Sequence, residues 1–322
     1  MINTQAWQPS ATIAVLKQRA NALAKIRYFF TQREVMEVDV PVLSHCAVSD
    51  PFIDAISASY RHYPQGSAQQ CFLQSSPEYA MKRLLAAGSG CIYQMAKVFR
   101  NGEIGHKHNP EFTMLEWYRI GFDEQQLMDE VAALVTQITA IETFKKLTYQ
   151  QVFIDYLDVD IYSASTAQLE ALMRSRIEID AQLDRDGWLN LLMSHCIEPQ
   201  LKGAVFIYDY PASQAALAKV KTNSAGVSVA TRFELFVNGV ELANGYHELT
   251  NASEQQKRLQ ADIQQRKELD LPQNPTDQRL VAALASGMPE CAGVALGIDR
   301  LLMIALNKQH ISEVLPFDFS RA

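Results

Sequence analysis

The segment YQMAKVFRNGEIGHKHNPEFTMLEWY, residues 93–118, decides the fold. Both of its ends are rich in apolar and aromatic residues and predict two strands. The polar loop between them, NGEIGHKHNP, is too long for a tight hairpin turn. Arg100 would then stand at the end of the first strand and Phe112 on the second, with the HKH run of residues 106–108 in the loop.

The pairing of Arg100 with Phe112 suits a bound nucleotide. A guanidinium group can hold a phosphate through two parallel hydrogen bonds, and an aromatic ring can stack under a purine. The loop residues His106, Lys107 and His108 could meet the outer phosphates. The alternative is a solvated basic loop between two strands, and this segment alone leaves both interpretations open.

A second cation stands near the carboxyl end, in CAGVALGIDR, residues 291–300. The pattern predicts a strand that runs directly into a helix, with Arg300 at the junction. Small residues such as Gly293 and Gly297 would let a ligand approach the backbone closely. The alternative is an arginine at the start of a helix that pairs with Asp299 or a neighbour.

Two acids occur in FELFVNGVELANGYHEL, residues 233–249. The Asn-Gly pair at 238–239 predicts a β-hairpin with a type I′ turn. Glu241 and Glu248 would point to opposite faces of one regular strand, because side chains alternate. We expect a break or bulge at Asn244–Gly245 to bring both carboxylates to one site, where they would suit Mg²⁺. The alternative is a pair of exposed glutamates on an edge strand.

The run SSPE, residues 75–78, predicts the start of a helix. Glu78 in the first turn would stabilise the positive end of the helix, which is a sufficient structural role. The functional interpretation is that Glu78 also faces an amine of the ligand.

Hairpin-linked strands with helices between them predict an α+β fold built on an antiparallel sheet flanked by helices. A doubly wound parallel sheet is disfavoured, because regular βαβ alternation and a GxGxxG or Walker-type loop are both missing. We expect a single domain over residues 1–322. Residues 145–203 are expected to be largely helical and to form an insertion packed on the main sheet.

The composition limits the possible functions. A net charge of -7 argues against broad, nonspecific binding to nucleic acid. The five cysteines show no CxxC pair, and the start of the chain lacks a secretory signal, so a cytoplasmic protein with reduced thiols is expected. No apolar run reaches the length of about 18 residues that spans a bilayer, so no membrane partner is expected.

These segments together resemble the three motifs of class II aminoacyl-tRNA synthetases, most closely those of the lysyl enzyme. The helix leading into VMEVDVPVLS, with Pro41, resembles motif 1. FRNGEIGHKHNPEFTMLEWY resembles motif 2, and GVALGIDR resembles motif 3. The resemblance covers essentially the whole chain and implies the catalytic domain of that class. Because motif 1 forms a two-fold interface in the class, it also implies a homodimer.

The resemblance implies a site for ATP and Mg²⁺. Arg100 and Arg300 would be catalytic and would hold the ATP phosphates, while Phe112 would stack on adenine. The rest of the implied ATP site is Asn101, Gly102, Glu103, Asn109, Glu241, Leu242 and Gly297. Motif 2 usually has Glu two residues after its Arg, where this chain has Gly102. Either Glu103 takes over the contact with adenine, or only a backbone contact at Gly102 remains.

The resemblance also implies an amino-acid pocket next to the metal. Glu241 and Glu248 would hold Mg²⁺, with Glu248 also close to the amino acid. Glu78 would face an ammonium group of a diamino acid, because a buried ammonium needs paired charge. The implied amino-acid pocket consists of Ser76, Pro77, Glu78, Tyr118, Glu248 and Ala295.

Two departures from the lysyl enzymes narrow the expected function. Few residues precede the first helix, so we expect no anticodon-binding domain and no anticodon-dependent binding of tRNA. Ala295 replaces a motif 3 glycine. Both features resemble the free-standing paralogues that activate (R)-β-lysine with ATP and join it to a lysine of elongation factor P. The alternatives are a minimal lysyl-tRNA synthetase-like enzyme and a non-catalytic paralogue that acts as a binding subunit.

Overall fold

The computed structural model describes residues 7–63 and 66–322. In these residues the strands are β1 (Met36–Glu37), β2 (Leu43–Ser44), β3 (Ser57–Arg61), β4 (Ala68–Leu73), β5 (Ile92–Phe99), β6 (Glu111–Ile120), β7 (Phe144–Thr148), β8 (Ala204–Pro211), β9 (Val220–Thr222), β10 (Ser228–Val237), β11 (Val240–His247) and β12 (Cys291–Gly297). The α-helices are α1 (Ile13–Thr31), α2 (Glu78–Ala86), α3 (Glu124–Thr139), α4 (Tyr149–Leu157), α5 (Thr166–Arg174), α6 (Arg185–Leu192), α7 (Ala252–Glu268), α8 (Gln278–Ala285) and α9 (Ile298–Ala305). None of these helices is both long enough and apolar enough to cross a membrane.

A nine-stranded sheet organises the described part of the chain. Its order is β1-β5-β6-β12-β11-β10-β8-β7, with β9 paired to β10. Every pair is antiparallel except β1 with β5 and β7 with β8. A separate small sheet has the order β2-β4-β3. The predicted α+β fold with an antiparallel sheet is therefore confirmed.

Both predicted hairpins form. In the first, β5 and β6 pair from Ile92 opposite Tyr118 to Phe99 opposite Glu111, which leaves residues 100–110 as the loop. In the second, Asn238 and Gly239 have φ angles of 48° and 73°, as a type I′ turn requires.

Strand β12 lies between these two hairpins and joins them into one sheet. It pairs with β6 on one side and with β11 on the other. Ala295 therefore lies opposite Glu116 on β6 and opposite Asn244 on β11. The three segments that the sequence singled out thus become neighbouring strands, although they are far apart along the chain.

The predicted bulge in β11 exists, but its predicted position is wrong. Asn244 and Gly245 pair regularly with both neighbouring strands. The register against β10 instead shifts between Ala243 and Glu241, which leaves Leu242 as the extra residue. One extra residue reverses the alternation of side chains, so Glu241 and Glu248 both reach the same cleft.

The main core lies between the sheet and the helices α1, α3 and α9. Ile26, Phe30, Trp117, Val131 and Leu301 are fully buried there. Helical spacing of the apolar residues in these helices accounts for this face. The opposite face of the central strands is left to line a cleft.

Residues 145–203 are largely helical, as predicted. Helices α4 to α6 and a π-helical turn, Met193–Ile197, enclose a second core that packs on the main sheet through Val205, Ile207 and Phe236. Strand β7, the edge strand that leads into this segment and pairs with β8, was not predicted. Reciprocal hydrogen bonds between Gly203 and Asn238, each 2.9 Å, tie the end of the segment to the β10–β11 turn.

Candidate active site

A cleft of about 360 Å³ lies over the central strands. Along β6 the side chains of Met114, Glu116 and Tyr118 face it, whereas Leu115 and Trp117 pack into the main core. All but three of the site residues that the resemblance implies line this cleft: Ser76, Glu78, Arg100, Glu103, Asn109, Phe112, Tyr118, Glu241, Leu242, Glu248, Ala295, Gly297 and Arg300. Of the loop residues, Lys107 and His108 also line it, whereas His106 does not.

The three remaining predicted residues lie beside the cleft. The Asn101 amide donates to the Asp54 carboxylate at 2.7 Å, away from the lining. Gly102 is exposed in the loop, with a φ of 74° that favours glycine. Pro77 is buried at the start of α2. Any contact that these three make with a ligand would be at the margin of the cleft.

Arg300 lies at one end of the cleft and is held from two sides. Its Nη1 donates to the Glu241 carbonyl oxygen at 2.7 Å, and its Nη2 lies 2.7 Å from His108 Nε2. Burial and the charge of Arg300 lower the pKa of His108, so the imidazole is neutral and accepts this hydrogen bond. The alternative pairing of Arg300 with Asp299 is wrong, because Asp299 pairs with Arg19 at 2.6 Å.

Arg100 lies at the same end of the cleft, next to Phe112. Its guanidinium carbon is 5.3 Å from the centre of the Phe112 ring. Its only described ion pair is a long one, 3.5 Å, to Glu103. Its Nε is buried and has no hydrogen-bond partner among the described residues. A buried donor without a partner is costly, and an anion would satisfy it, so this end of the cleft fits a phosphate.

Glu116, which was not predicted as a site residue, is the principal residue of the other end. It is buried on β6, where its carboxylate accepts from Ser76 Oγ at 2.7 Å and from Tyr118 OH at 2.6 Å. Burial and the nearby charge of Glu78 raise its pKa to about 8. When Glu116 is deprotonated, its buried carboxylate therefore needs a nearby cation to stabilise the negative charge.

Lys82 was also missed. Its ammonium group is buried between two carboxylates, 2.5 Å from Glu78 and 2.6 Å from Glu248. Burial raises the pKa of Glu248 to about 7, and Lys82 opposes that rise. With Glu116, this end of the cleft has three acidic side chains and one lysine. The acidic groups outnumber the lysine, which suits a positively charged ligand.

A third group closes the cleft near β10. The Arg232 guanidinium pairs with Glu234, which also accepts from Tyr210 OH at 2.7 Å. The Asn244 amide donates to the same carboxylate at 3.2 Å, and its Oδ1 is buried with no hydrogen-bond partner in the described residues. Arg232 and Glu234 were not predicted as site residues, because polar residues that alternate with apolar ones along a strand usually face solvent.

Glycine is required at position 293 for this arrangement. A Cβ atom there would lie 2.3 Å from the Tyr118 ring and 2.5 Å from Glu248 Oε1. Both atoms belong to the acidic end of the cleft and neither can retreat, because both side chains are buried. The small residues of β12 therefore shape the pocket.

The donors available for a metal ion are few. Across residues 7–63 and 66–322, no group of three or more His, Cys, Asp or Glu side chains could hold a metal ion. Glu241 is half-exposed in the cleft, whereas Glu248 is buried against Lys82. Mg²⁺ commonly uses one or two protein carboxylates and completes its shell with phosphate oxygens and water. The residues present therefore fit a magnesium ion that arrives with a nucleotide.

Comparison with known proteins supports the resemblance of the motifs. A family model described as "tRNA synthetases class II (D, K and N)" matches residues 6–321. A protein of Vibrio atlanticus named elongation factor P–(R)-β-lysine ligase is 50% identical over 321 residues, which cover 98% of this chain and 99% of that protein. Proteins of the same name from Vibrio cholerae and Edwardsiella ictaluri are 49% and 46% identical, over 98% and 100% of both chains. The chain therefore belongs to the class II tRNA synthetases of the D, K and N group, in the family of elongation factor P–(R)-β-lysine ligases.

Proposed function

We propose that this chain activates (R)-β-lysine with ATP as an aminoacyl-adenylate and transfers it to the ε-amine of a lysine on elongation factor P. One observation carries the proposal: a single cleft has two arginines at one end and a group of three carboxylates, two of them buried, at the other. A triphosphate and a diamino acid need opposite charges of this kind. The names of the relatives support the particular amino acid and acceptor protein.

The arginine end would bind ATP. Arg100 and Arg300 would hold the phosphates, Phe112 would stack on adenine, and Glu103 or the backbone of Gly102 would contact the base. Asn109, Leu242 and Gly297 would line the site, and Asn101 would contribute at its margin. Glu241 and Glu248 would hold Mg²⁺, which offsets phosphate charge when bound.

The acidic end would bind the amino acid. Glu78, Glu116 and Glu248 would face its ammonium groups, and Ser76, Pro77 and Tyr118 would bound the pocket. Tyr118 OH and Ser76 Oγ already donate to Glu116. They hold its carboxylate in place, so a substrate ammonium would meet a fixed acceptor.

The reaction would need no side-chain nucleophile. A carboxylate oxygen of β-lysine attacks the α-phosphorus of ATP, and the bond to pyrophosphate breaks. Arg100 would stabilise the added charge at the α-phosphate, while pyrophosphate leaves toward Arg300. The neutral ε-amine of the acceptor lysine then attacks the acyl carbon, forming an amide, releasing AMP and losing a proton. The contribution of the protein is position and electrostatics.

Exchange of labelled pyrophosphate into ATP tests the first half of the reaction. We expect exchange that depends on the amino acid and is faster with (R)-β-lysine than with α-lysine. A non-catalytic paralogue would give none. A minimal lysyl-tRNA synthetase-like enzyme would prefer α-lysine and would charge tRNA, so a parallel assay of tRNA charging separates that alternative.

Replacing Ala295 by glycine should weaken discrimination between the two isomers of lysine. Ala295 lies between Glu116 and Asn244 on the cleft floor, so its methyl group narrows the pocket. One methyl group is worth about 1–3 kcal/mol of discrimination, or roughly 10–200-fold. We expect the ratio of kcat/KM for β-lysine to that for α-lysine to decrease by a factor within this range. An unchanged ratio would remove Ala295 from the pocket wall.

Each chain is also proposed to form one catalytic domain, in which residues 145–203 are an insertion. Two chains would form a homodimer, and the protein would act in the cytoplasm. Ile13 and Tyr28 on α1, with Met36 and Leu43 just beyond it, leave large apolar side chains exposed, as an uncovered interface would. The five cysteines are free, which suits a reducing compartment. Sedimentation at micromolar concentration should give twice the mass of the chain. A monomer under those conditions would count against the dimer.

A further inference from the structure

A buried ion pair connects α1 to the two segments proposed to bind ATP. Arg19 Nη1 donates to Asp299 Oδ1 at 2.6 Å, and both residues are buried. Arg19 Nη2 donates to Thr113 Oγ1 at 2.8 Å. Asp299 Oδ2 accepts from the backbone N–H of Thr113 at 2.7 Å. Three hydrogen bonds therefore close a ring between one helix, one strand and the start of another helix.

The partners of Arg19 stand next to the residues that would contact ATP. Asp299 directly precedes Arg300, and Thr113 directly follows Phe112. The ladder between β12 and β6 ends at Gly297 opposite Met114, so Arg300 lies beyond the last strand pair. Beyond that pair, the hydrogen bond from the Thr113 backbone N–H to Asp299 connects β6 to the first turn of α9, where Arg300 lies.

Arg19 suits this position because of its planar fork. Two nitrogens of one guanidinium reach two different partners, and Nη1 also donates to the Val314 carbonyl oxygen at 3.3 Å. A lysine carries the charge but cannot reproduce the fork. The charge of a buried ion pair adds little to stability once desolvation is counted, so the clearest consequence of this pair is geometric.

We propose that Arg19 is a positioning residue for the ATP site. Through its bonds to Asp299 and Thr113, Arg19 holds Arg300 in place relative to Phe112. The inference rests on the proposed ATP site and deepens it, because neither Arg19 nor Thr113 lines the cleft. Helix α1 would then support the nucleotide site, although none of its residues lines the cleft.

The test compares four variants of the full-length protein. Thr113→Val removes the hydroxyl acceptor while keeping the shape, and Arg19→Lys keeps the charge while losing the fork. Thr113→Ser keeps the hydroxyl. Arg27→Lys changes an exposed arginine of the same helix, whose partner is Glu37. The measurements are the Kd for ATP by titration calorimetry and the KM values for ATP and lysine in pyrophosphate exchange, with a thermal melt for each variant.

We expect Thr113→Val and Arg19→Lys to raise the Kd and KM for ATP by about tenfold or more, a loss typical of one buried hydrogen bond to a charged group. The KM for lysine should change by less than about twofold, because the acidic end keeps its contacts. Thr113→Ser and Arg27→Lys should bind ATP like the unmodified chain. If Arg19→Lys fails to fold, Thr113→Val decides.

Folded Thr113→Val and Arg19→Lys proteins with unchanged Kd for ATP would overturn the inference and leave the proposed function intact. Equal weakening by Thr113→Val and Thr113→Ser would also overturn it, because packing rather than the hydroxyl would then be responsible. An unmodified chain that binds no ATP would instead overturn the proposed function, and the inference with it.

Discussion

Arg300→Ala is expected to lower the rate of pyrophosphate exchange by at least about 10²–10³-fold, the loss seen when one preorganised group that stabilises the transition state is removed. The guanidinium is oriented by the Glu241 carbonyl and by neutral His108, so its charge is already aimed into the cleft. The fold should survive, because the side chain is partly exposed and lies outside the core. Exchange kinetics and a thermal melt measure the two effects separately.

Arg61→Ala is the matched control for Arg300→Ala. Arg61 is exposed on β3, outside the cleft, so its loss should change neither the exchange rate nor the melting temperature by much. Near-normal exchange by Arg300→Ala would contradict the assignment of the phosphate end. A melting temperature that collapses in Arg300→Ala would show that the residue is structural instead.

Glu116→Gln is expected to lower kcat/KM for lysine by about 100-fold, because a buried charge pair with the substrate is worth several kcal/mol. The substitution keeps the shape of the side chain beside Ser76 and Tyr118. ATP binding should be unchanged, because the change lies at the opposite end of the cleft. Pyrophosphate exchange at varied lysine measures the loss, and calorimetry with ATP checks that the nucleotide end is intact.

The pKa of Glu116 gives this prediction a pH dependence. Burial and the nearby charge of Glu78 raise its pKa to about 8, so protonation of the carboxyl group competes with its binding of a cation near neutral pH. Binding of an ammonium group must then release a proton, and affinity for the diamino acid should rise as pH increases from about 6 to 8. Calorimetry in buffers of different ionisation enthalpy measures the release, which Glu116→Gln should diminish.

The sign for stability is opposite to that for binding. A carboxyl group whose pKa is raised in the folded state makes the folded protein less stable as pH rises from the group's pKa in the unfolded chain toward about 8. Glu116→Gln should therefore be no less stable than the unmodified chain at about pH 8.

Glu111→Gln, an exposed change on the same strand, is the control for activity and should leave activity and its pH dependence unaltered. Equal losses in both variants would contradict the role of Glu116.

Local patterns were sufficient to predict the hairpins and many of the residues that line the cleft. Asn238–Gly239 can form a type I′ turn whatever surrounds it, and the long loop after Phe99 follows from its polar composition. Arg100 and Arg300 stood out because each follows a strand that is rich in apolar or small residues. These are short-range signals, and the structure places the residues that carry them around one cleft.

The residues missed by the sequence analysis depend on contacts between distant segments. Lys82 resembles an ordinary helix-surface lysine until Glu248 is brought beside it by the fold. Glu116 lies in an apolar strand, and nothing local indicates that Ser76 will donate to it. The bulge falls at Leu242 because β11 must pair with both β10 and β12, a constraint that the Asn244–Gly245 signal cannot reflect.

The most direct test of the proposed function is the intact mass of elongation factor P after incubation with this protein, Mg-ATP and (R)-β-lysine, beside a parallel reaction with α-lysine. We expect a gain of one lysyl unit that is larger with the β isomer and absent with the Arg300→Ala protein. No gain with either isomer, from an acceptor that a homologous ligase does modify, would contradict the proposed function.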